Sequence, residues 1–389
     1  MAVVIVGAGM AGVQTAVALR EQGYQGSLVL LGAERHPPYD RPPLSKDVLL
    51  GRAEHSRFEI DFARLGIELA LGRRALSVDL EARLLKTDAG DLGFEQLVLA
   101  TGAAPIALPG QPESAFLLRT HDDAVALKAA LRPGTRVAVV GAGWIGAEAA
   151  TVARQLDCEV TVVEAAPSPL AGALPAELGE RTRAWYEAAG VRLLTGAAVS
   201  GIAPDAVLLT DGSRVPADVV VVGIGARPDN GWLAGSGIAL DDRGAIATDA
   251  RLRAGGIPGV YAVGDCASFP SARYGRRLAV HHWDNALQGA RVVAANLLGG
   301  ELAYDPVPYF WSEQFGHMVQ VAGHWDAGDE WVARGEDAVL WLREGKLVAL
   351  LAVDRPRDLA QGRKLIDSGA RLDVARATDP AIPLKSALS

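Results

Sequence analysis

One pattern occurs twice in this chain, and it leaves few folds open. Val3 to Val6 is a short unbroken apolar run. Gly7-Ala8-Gly9-Met10-Ala11-Gly12 follows, then apolar residues at helical spacing from Val13 to Arg20, then a second apolar run from Ser27 to Leu31. The order returns as Arg136 to Val140, Gly141-Ala142-Gly143-Trp144-Ile145-Gly146, Ala147 to Leu156 and Glu159 to Val163. An unbroken apolar run is what a parallel strand buried on both faces requires. A glycine turn joining such a strand to a helix is the mononucleotide-binding unit of doubly wound α/β proteins. The first glycine of each motif (Gly7, Gly141) permits the tight turn, and the second (Gly9, Gly143) lets backbone approach a pyrophosphate. The third (Gly12, Gly146) lets helix and strand pack closely. Met10 and Ala11 inside the first motif are expected at the FAD site and Trp144 and Ile145 inside the second at the NAD site, beside helix N-termini that offer unpaired N–H groups to phosphate.

Each second strand is followed by a carboxylate, Glu34 in the first unit and Glu164 in the second, where ribose hydroxyls would be held. Glu164 would repel a 2′-phosphate, and Ala165-Ala166-Pro167-Ser168 supplies no Arg to receive one, so NADH is expected rather than NADPH. Two dinucleotide sites in one chain have a chemical meaning. One holds FAD and the other NAD(H), with the reactive rings meeting where the two units face each other.

Further buried strands are expected at Gln96 to Leu99, ending in Ala100-Thr101-Gly102, at Val219 to Pro228, and at Gly259 to Asp265. From about Pro306 the pattern changes. Met318 to Ala322, Ala338 to Leu342 and Leu347 to Val353 alternate as antiparallel strands do. With 389 residues, two or three domains are expected. The net charge of −8 argues against a nucleic-acid partner. The two cysteines, Cys158 and Cys266, form no CxxC and are read as small buried residues. That argues against a disulfide framework, a zinc site or a redox dithiol, and fits a reducing cytoplasm. His281-His282 invites a metal reading, but adjacent residues on a strand diverge and no third ligand is near, so no metal is expected. The apolar opening lacks the basic start of a signal peptide, and no other stretch is long and apolar enough for a bilayer, so no membrane is expected.

The chain resembles the FAD-dependent ferredoxin reductases of bacterial oxygenase systems, the putidaredoxin reductase and aromatic-dioxygenase reductase-component family. The resemblance runs through GAGMAG (7–12), PYDRPPLSK (38–46), LVLATGAAP (97–105), LRTHDDA (118–124), VVGAGWIGAE (139–148), GIGARPDN (223–230), VYAVGDCA (260–267), WDNALQGA (283–290) and FWSEQF (310–315). It implies an α/β fold with two Rossmann-like nucleotide-binding domains arranged as in glutathione reductase, plus a C-terminal α+β domain. The expected boundaries are 1–108 with 232–306 for FAD, 109–231 for NAD, and 307–389 for the C-terminal domain.

By the same resemblance, Asp265 binds the FAD ribitol. Arg41 and Lys46 lie along the FAD phosphates and near the flavin ring. Ala100, Thr101 and Gly102 pass the cofactor by backbone, Trp283 joins the FAD site, and Gly223 and Gly225 join the NAD site. Trp311 stands near the isoalloxazine, and Lys46 and Glu148 form a pair across the flavin–nicotinamide junction. Trp144 either covers the flavin face or packs against the FAD domain. His281-His282 departs from the acidic and small polar residues of the family. The implied activity is hydride transfer from NADH to FAD and single-electron delivery to a [2Fe–2S] ferredoxin feeding an oxygenase such as a cytochrome P450. The ferredoxin docks through a local basic patch, with Arg291 the first candidate and Arg273, Arg276 and Arg277 next. An NADH oxidase or quinone-type reductase, and a redox sensor resembling apoptosis-inducing factor, are the alternatives.

Overall fold

Residues 2–389 are described by a computed structural model. The first apolar runs become a five-stranded, wholly parallel sheet in the order Val260–Ala262, Gln96–Leu99, Ala2–Val6, Ser27–Gly32, Glu68–Leu71. Its central strand, Ala2–Val6, is covered on both faces. Val3 and Ile5 join one core with Leu19, Leu28 and Val293, while Val4 and Val6 join another with Leu31, Leu97 and Leu99. That two-sided burial is why the run carries no polar residue. The sheet takes its last strand from far along the chain, so the first unit is closed only after the second has been made.

The second unit is a four-stranded parallel sheet in the order Arg192–Leu194, Glu159–Val163, Arg136–Val140, Val219–Val222. The sequence run from Val219 to Pro228 is not one strand. It stops at Val222, turns through Gly223 and Gly225, and restarts as Ala226–Pro228, which pairs antiparallel with Ala103–Pro105. That two-stranded ribbon lies between the two parallel sheets in sequence and ties their connections together.

The C-terminal segment forms a five-stranded antiparallel sheet, Tyr309–Gln314, His317–Gly323, Lys346–Val353, Ala338–Arg343, Glu330–Arg334. Both faces are covered. Leu340, Leu350 and Ala352 meet the helix Pro356–Ser368, while Val339, Trp341 and Leu351 meet Leu170, Leu174 and Leu178 of the second unit. This second cover explains why Ala338 to Leu342 is buried throughout rather than on alternate residues. Among the described residues, no helix is long and apolar enough to cross a membrane, and no group of three His, Cys, Asp or Glu is placed to hold a metal ion.

Candidate active site

Both glycine turns open onto one cavity of about 1390 Å³. Gly7 and Gly141 have φ of +115° and +101°, where an L side chain is strained, and both are wedged against backbone. A Cβ on Gly7 would lie 2.1 Å from the Ala100 carbonyl oxygen, and one on Gly141 would lie 2.5 Å from that of Gly223. Gly12 and Gly146 do not line the cavity. A Cβ on either would strike the carbonyl oxygen of its own turn, Gly7 at 1.8 Å or Gly141 at 2.0 Å, so the close approach is of helix to turn more than helix to strand. Gly9 faces open space, with nothing within 4 Å of a built Cβ. The helices begin at Met10 and Trp144, inside the glycine motifs, so their first N–H groups point toward the cavity.

The other residues expected at the first site, Glu34, Arg41, Ala100, Thr101, Gly102, Asp265 and Trp283, all line this cavity with Met10 and Ala11. Several are already engaged. Glu34 accepts from Arg41 at 2.8 Å and from the Tyr39 hydroxyl at 2.5 Å, and Arg41 also donates to the Arg119 carbonyl at 2.6 Å. The Arg41 guanidinium is thus paired with Glu34 on the cavity wall. Asp265 pairs with Arg119 at 3.2 Å. Burial lowers the pKa of that Arg119 guanidinium and Asp265 opposes the shift; an arginine still stays charged. Trp283 Nε1 donates to Asp40 at 2.8 Å, and burial raises the Asp40 carboxyl above its ordinary range.

Trp144, Ile145, Glu164, Gly223 and Gly225 line the same cavity at the second turn. The Glu164 carboxylate accepts from the amides of Ala142 (2.7 Å) and Ala166 (2.8 Å), which fixes it beside the turn. Trp144 packs with the C-terminal sheet. It meets Phe310 of the C-terminal sheet edge-on at 4.3 Å, and Phe310 stacks on His282 at 4.7 Å. Burial pushes the His282 pKa down to about 4, so the imidazole is neutral at pH 7. Its neighbour His281 is exposed.

Between the two turns lies the ion pair expected from sequence. Lys46 Nζ is 2.8 Å from Glu148 Oε2. Glu148 is only 4 % exposed, and two hydroxyls also donate to it: Ser45 to Oε2, and Ser312 to Oε1 at 2.7 Å. Gln314 Nε2 donates in turn to Ser312 Oγ at 3.1 Å. One carboxylate thus gathers the first unit, the second unit and the C-terminal sheet. A buried carboxylate survives when its lone pairs are satisfied in this way. Trp311 lies on the cavity wall, 5.9 Å from Trp283 and 6.0 Å from Tyr309.

Sequence reasoning gave no role to Arg119, Ser45, Ser312, Tyr39 or Phe310, although each lies inside a motif that drew attention. Thr120 and Asp123 of LRTHDDA form a capping box on the helix His121–Ala130, which sets Arg119 just outside its N-terminus. Of the expected basic patch, Arg273 bonds to Asp367 and the Ile366 carbonyl, Arg276 to Asp326, and Arg277 to the Thr248 and Ser268 carbonyls. Arg291 is exposed.

Two dinucleotide-type turns facing one cavity across a lysine–glutamate pair define a two-nucleotide oxidoreductase. The chain belongs to the pyridine nucleotide-disulphide oxidoreductase family, whose model matches residues 1–290, and residues 309–388 match a reductase C-terminal model. It is similar to the ferredoxin reductase component of chlorobenzene dioxygenase from Cupriavidus sp. (strain PS12), 39% identical over 97% of this chain and 95% of that one. It is similar as well to the ferredoxin–NAD(+) reductase component of the anthranilate 1,2-dioxygenase system of Burkholderia cepacia, 38% identical over 99% and 98%. Among solved structures it matches the covalent putidaredoxin reductase–putidaredoxin complex with a TM-score of 0.94, 31% identity, and coverage of 99% and 97%. The disulphide of the family name has no counterpart in the cavity: Cys158 and Cys266 are buried free thiols and neither lines it.

Proposed function

We propose that this chain is an FAD-dependent NADH:ferredoxin oxidoreductase of the cytoplasm that serves an oxygenase. The observation that carries the reading is the Lys46–Glu148 pair standing between two glycine turns on one cavity. The cavity exceeds the roughly 300–1,000 Å³ of a site for one drug-sized ligand, and the open space at Gly9 suits a pyrophosphate. The residues present therefore fit two dinucleotides. When bound, FAD supplies the conversion of a hydride from NADH into single electrons for a [2Fe–2S] ferredoxin.

The chain's own groups bind, orient and exclude water. The first turn, Gly7 to Ala11 on the cavity wall, would hold the FAD pyrophosphate by backbone, and Asp265, kept in place by Arg119, would bind the ribitol. The Glu34–Arg41–Tyr39 cluster closes the adenosine end. Glu164, fixed by two amides, keeps acceptor capacity for a ribose hydroxyl and rejects a 2′-phosphate. Lys46 sets a positive charge beside the flavin ring, and Glu148, bound by Ser45 and Ser312, holds that charge in place. Trp144, Phe310 and the neutral His282 form an aromatic wall that adds no charge to the junction. Trp311, on the cavity wall beside Trp283, would stand near the isoalloxazine and is the candidate point of electron exit. The reading divides the chain into 1–108 with 232–306 for FAD, 109–231 for NAD and 307–389 for the C-terminal domain.

Purified protein should be yellow, or become so with FAD. Stopped-flow mixing should show rapid bleaching by NADH, much slower bleaching by NADPH, and reoxidation on adding an acidic [2Fe–2S] ferredoxin. A protein that stays colourless with FAD, or whose reduced form reacts with oxygen faster than with every ferredoxin tried, would overturn the assignment.

A further inference from the structure

The C-terminal hairpin that carries Trp311 and Ser312 turns in an unusual way. Gln314 pairs with His317, which leaves Phe315-Gly316 as a two-residue loop with φ of +51° and +86°. Positive φ at both places marks a type I′ turn, whose first position favours Asn, Asp or Gly. A bulky aromatic there is an outlier, and such conformations persist where the surroundings over-determine them.

The surroundings are in the second nucleotide unit. The Phe315 N–H donates to Thr151 Oγ1 at 3.0 Å, and the Phe315 ring lies 4.5 Å from Tyr186 against the core beneath the second sheet. The Thr151 hydroxyl donates its own proton to the Ala147 carbonyl at 2.7 Å, which leaves its oxygen free to accept from Phe315. Along the helix Trp144–Gln155, residues 144, 148 and 151 share a face. Each meets the hairpin: Trp144 meets Phe310, Glu148 meets Ser312, and Thr151 meets Phe315. The tip is the far end of a three-point seam whose middle point is the carboxylate that holds Lys46.

We infer that Phe315, held by Thr151 and Tyr186, is a positioning residue for flavin reduction. It fixes the height of the strand against the helix, so that Ser312 stays on Glu148 and Glu148 stays on Lys46. The inference rests on the function proposed above. A hairpin whose turn residue suited the turn alone would be placed by its sheet pairing and by the Trp144 and Glu148 contacts, with nothing fixing its tip. This one places an unsuited residue at its tip and anchors it in another unit.

Phe315→Asn separates the two roles, because it gives the turn a favoured residue while removing the ring that packs on Tyr186, the backbone bond to Thr151 being left in place. Thr151→Val removes the acceptor and leaves the hairpin sequence untouched. Both variants are expected to keep wild-type flavin content. Amide exchange across 310–316 should accelerate by about tenfold, with the neighbouring strand 346–353 unchanged. The limiting rate of reduction by NADH should fall by about tenfold, within the ~100-fold that ångström-scale misplacement can cost, at unchanged half-saturating NADH. Combined with Ser312→Ala, Phe315→Asn should add little further loss, since both act through one contact. Exchange and rate that both stay at wild-type values, either one moving alone, or losses that multiply in the double variant, would overturn the inference. A failure of the proposed function is distinguishable: wild-type protein would then not be reduced by NADH at all, while the exchange measurement would still report on the anchor.

Discussion

His282 sits on the cavity wall with its ring stacked on Phe310, and its environment has a consequence that titration can reveal. Burial lowers its pKa from an ordinary 6.5 to about 4, with the Asp265 carboxylate opposing the shift. Between those values the unfolded chain takes up a proton that the folded chain refuses, so stability falls as pH drops from about 6.5 toward 4. The full loss is on the order of 3 kcal/mol. His282→Gln should flatten that part of a plot of Tm against pH and leave the plot above pH 7 little changed. Lys46 and Glu148 call for a different experiment, because a buried pair can be structural or functional. Glu148→Leu leaves the Lys46 ammonium mostly buried without its counter-charge, and should cost roughly 3 kcal/mol in urea unfolding. Adding Lys46→Met should recover most of that stability, since apolar replacements of both partners are often neutral. Reduction by NADH should not recover. The pair was legible in sequence only through the resemblance. Ser45 and Ser312 were not legible, because they reach Glu148 across 103 and 164 residues of chain and no local pattern encodes that convergence.

At the scale of elements, the two glycine turns were the most legible part of the chain, because their geometry is local. Strand, turn and helix follow one another, and a missing Cβ is the whole requirement. Helix starts were less so. Both helices begin inside the motif, since the turn residues already have helical backbone that apolar spacing does not register. The turns also allow a direct test of which dinucleotide each holds. In Gly12→Ala the new methyl would meet the Gly7 carbonyl, and in Gly146→Ala that of Gly141, so in each the helix must shift from its turn. Gly12→Ala should purify without flavin. Gly146→Ala should keep its yellow colour and its flavin spectrum while the NADH needed for half-maximal reduction rises by tenfold or more, roughly 1.4 kcal/mol of lost binding. The reverse pattern would exchange the two assignments.

For the whole molecule, the question is how a chain of net charge −8 would meet the acidic ferredoxin of the proposed function. Total charge acts at long range and is screened within about 10 Å at 0.1 M salt, so docking must rest on local charge. The sequence put four arginines forward and could not rank them by what they touch. Three are spent within the fold: Arg273 caps the end of the helix Pro356–Ser368, Arg276 pairs with Asp326, and Arg277 holds the Thr248 and Ser268 carbonyls. Arg291 is exposed on the helix Trp283–Leu297, whose first residue meets Trp311 on the cavity wall. A partner seated over Arg291 would therefore lie on the helix that also carries one side of the candidate electron exit. Arg291→Glu should slow ferredoxin reduction about tenfold at low ionic strength, with the deficit shrinking as salt rises, because rim charges act mainly on association rate. NADH–dye activity should stay unchanged, since Arg291 does not line the cavity. Arg276→Glu sets a negative charge beside Asp326 and should lower Tm without a ferredoxin-specific loss. If the two variants exchange these outcomes, the docking face lies on the Arg276 side of the molecule and the Arg291 assignment fails.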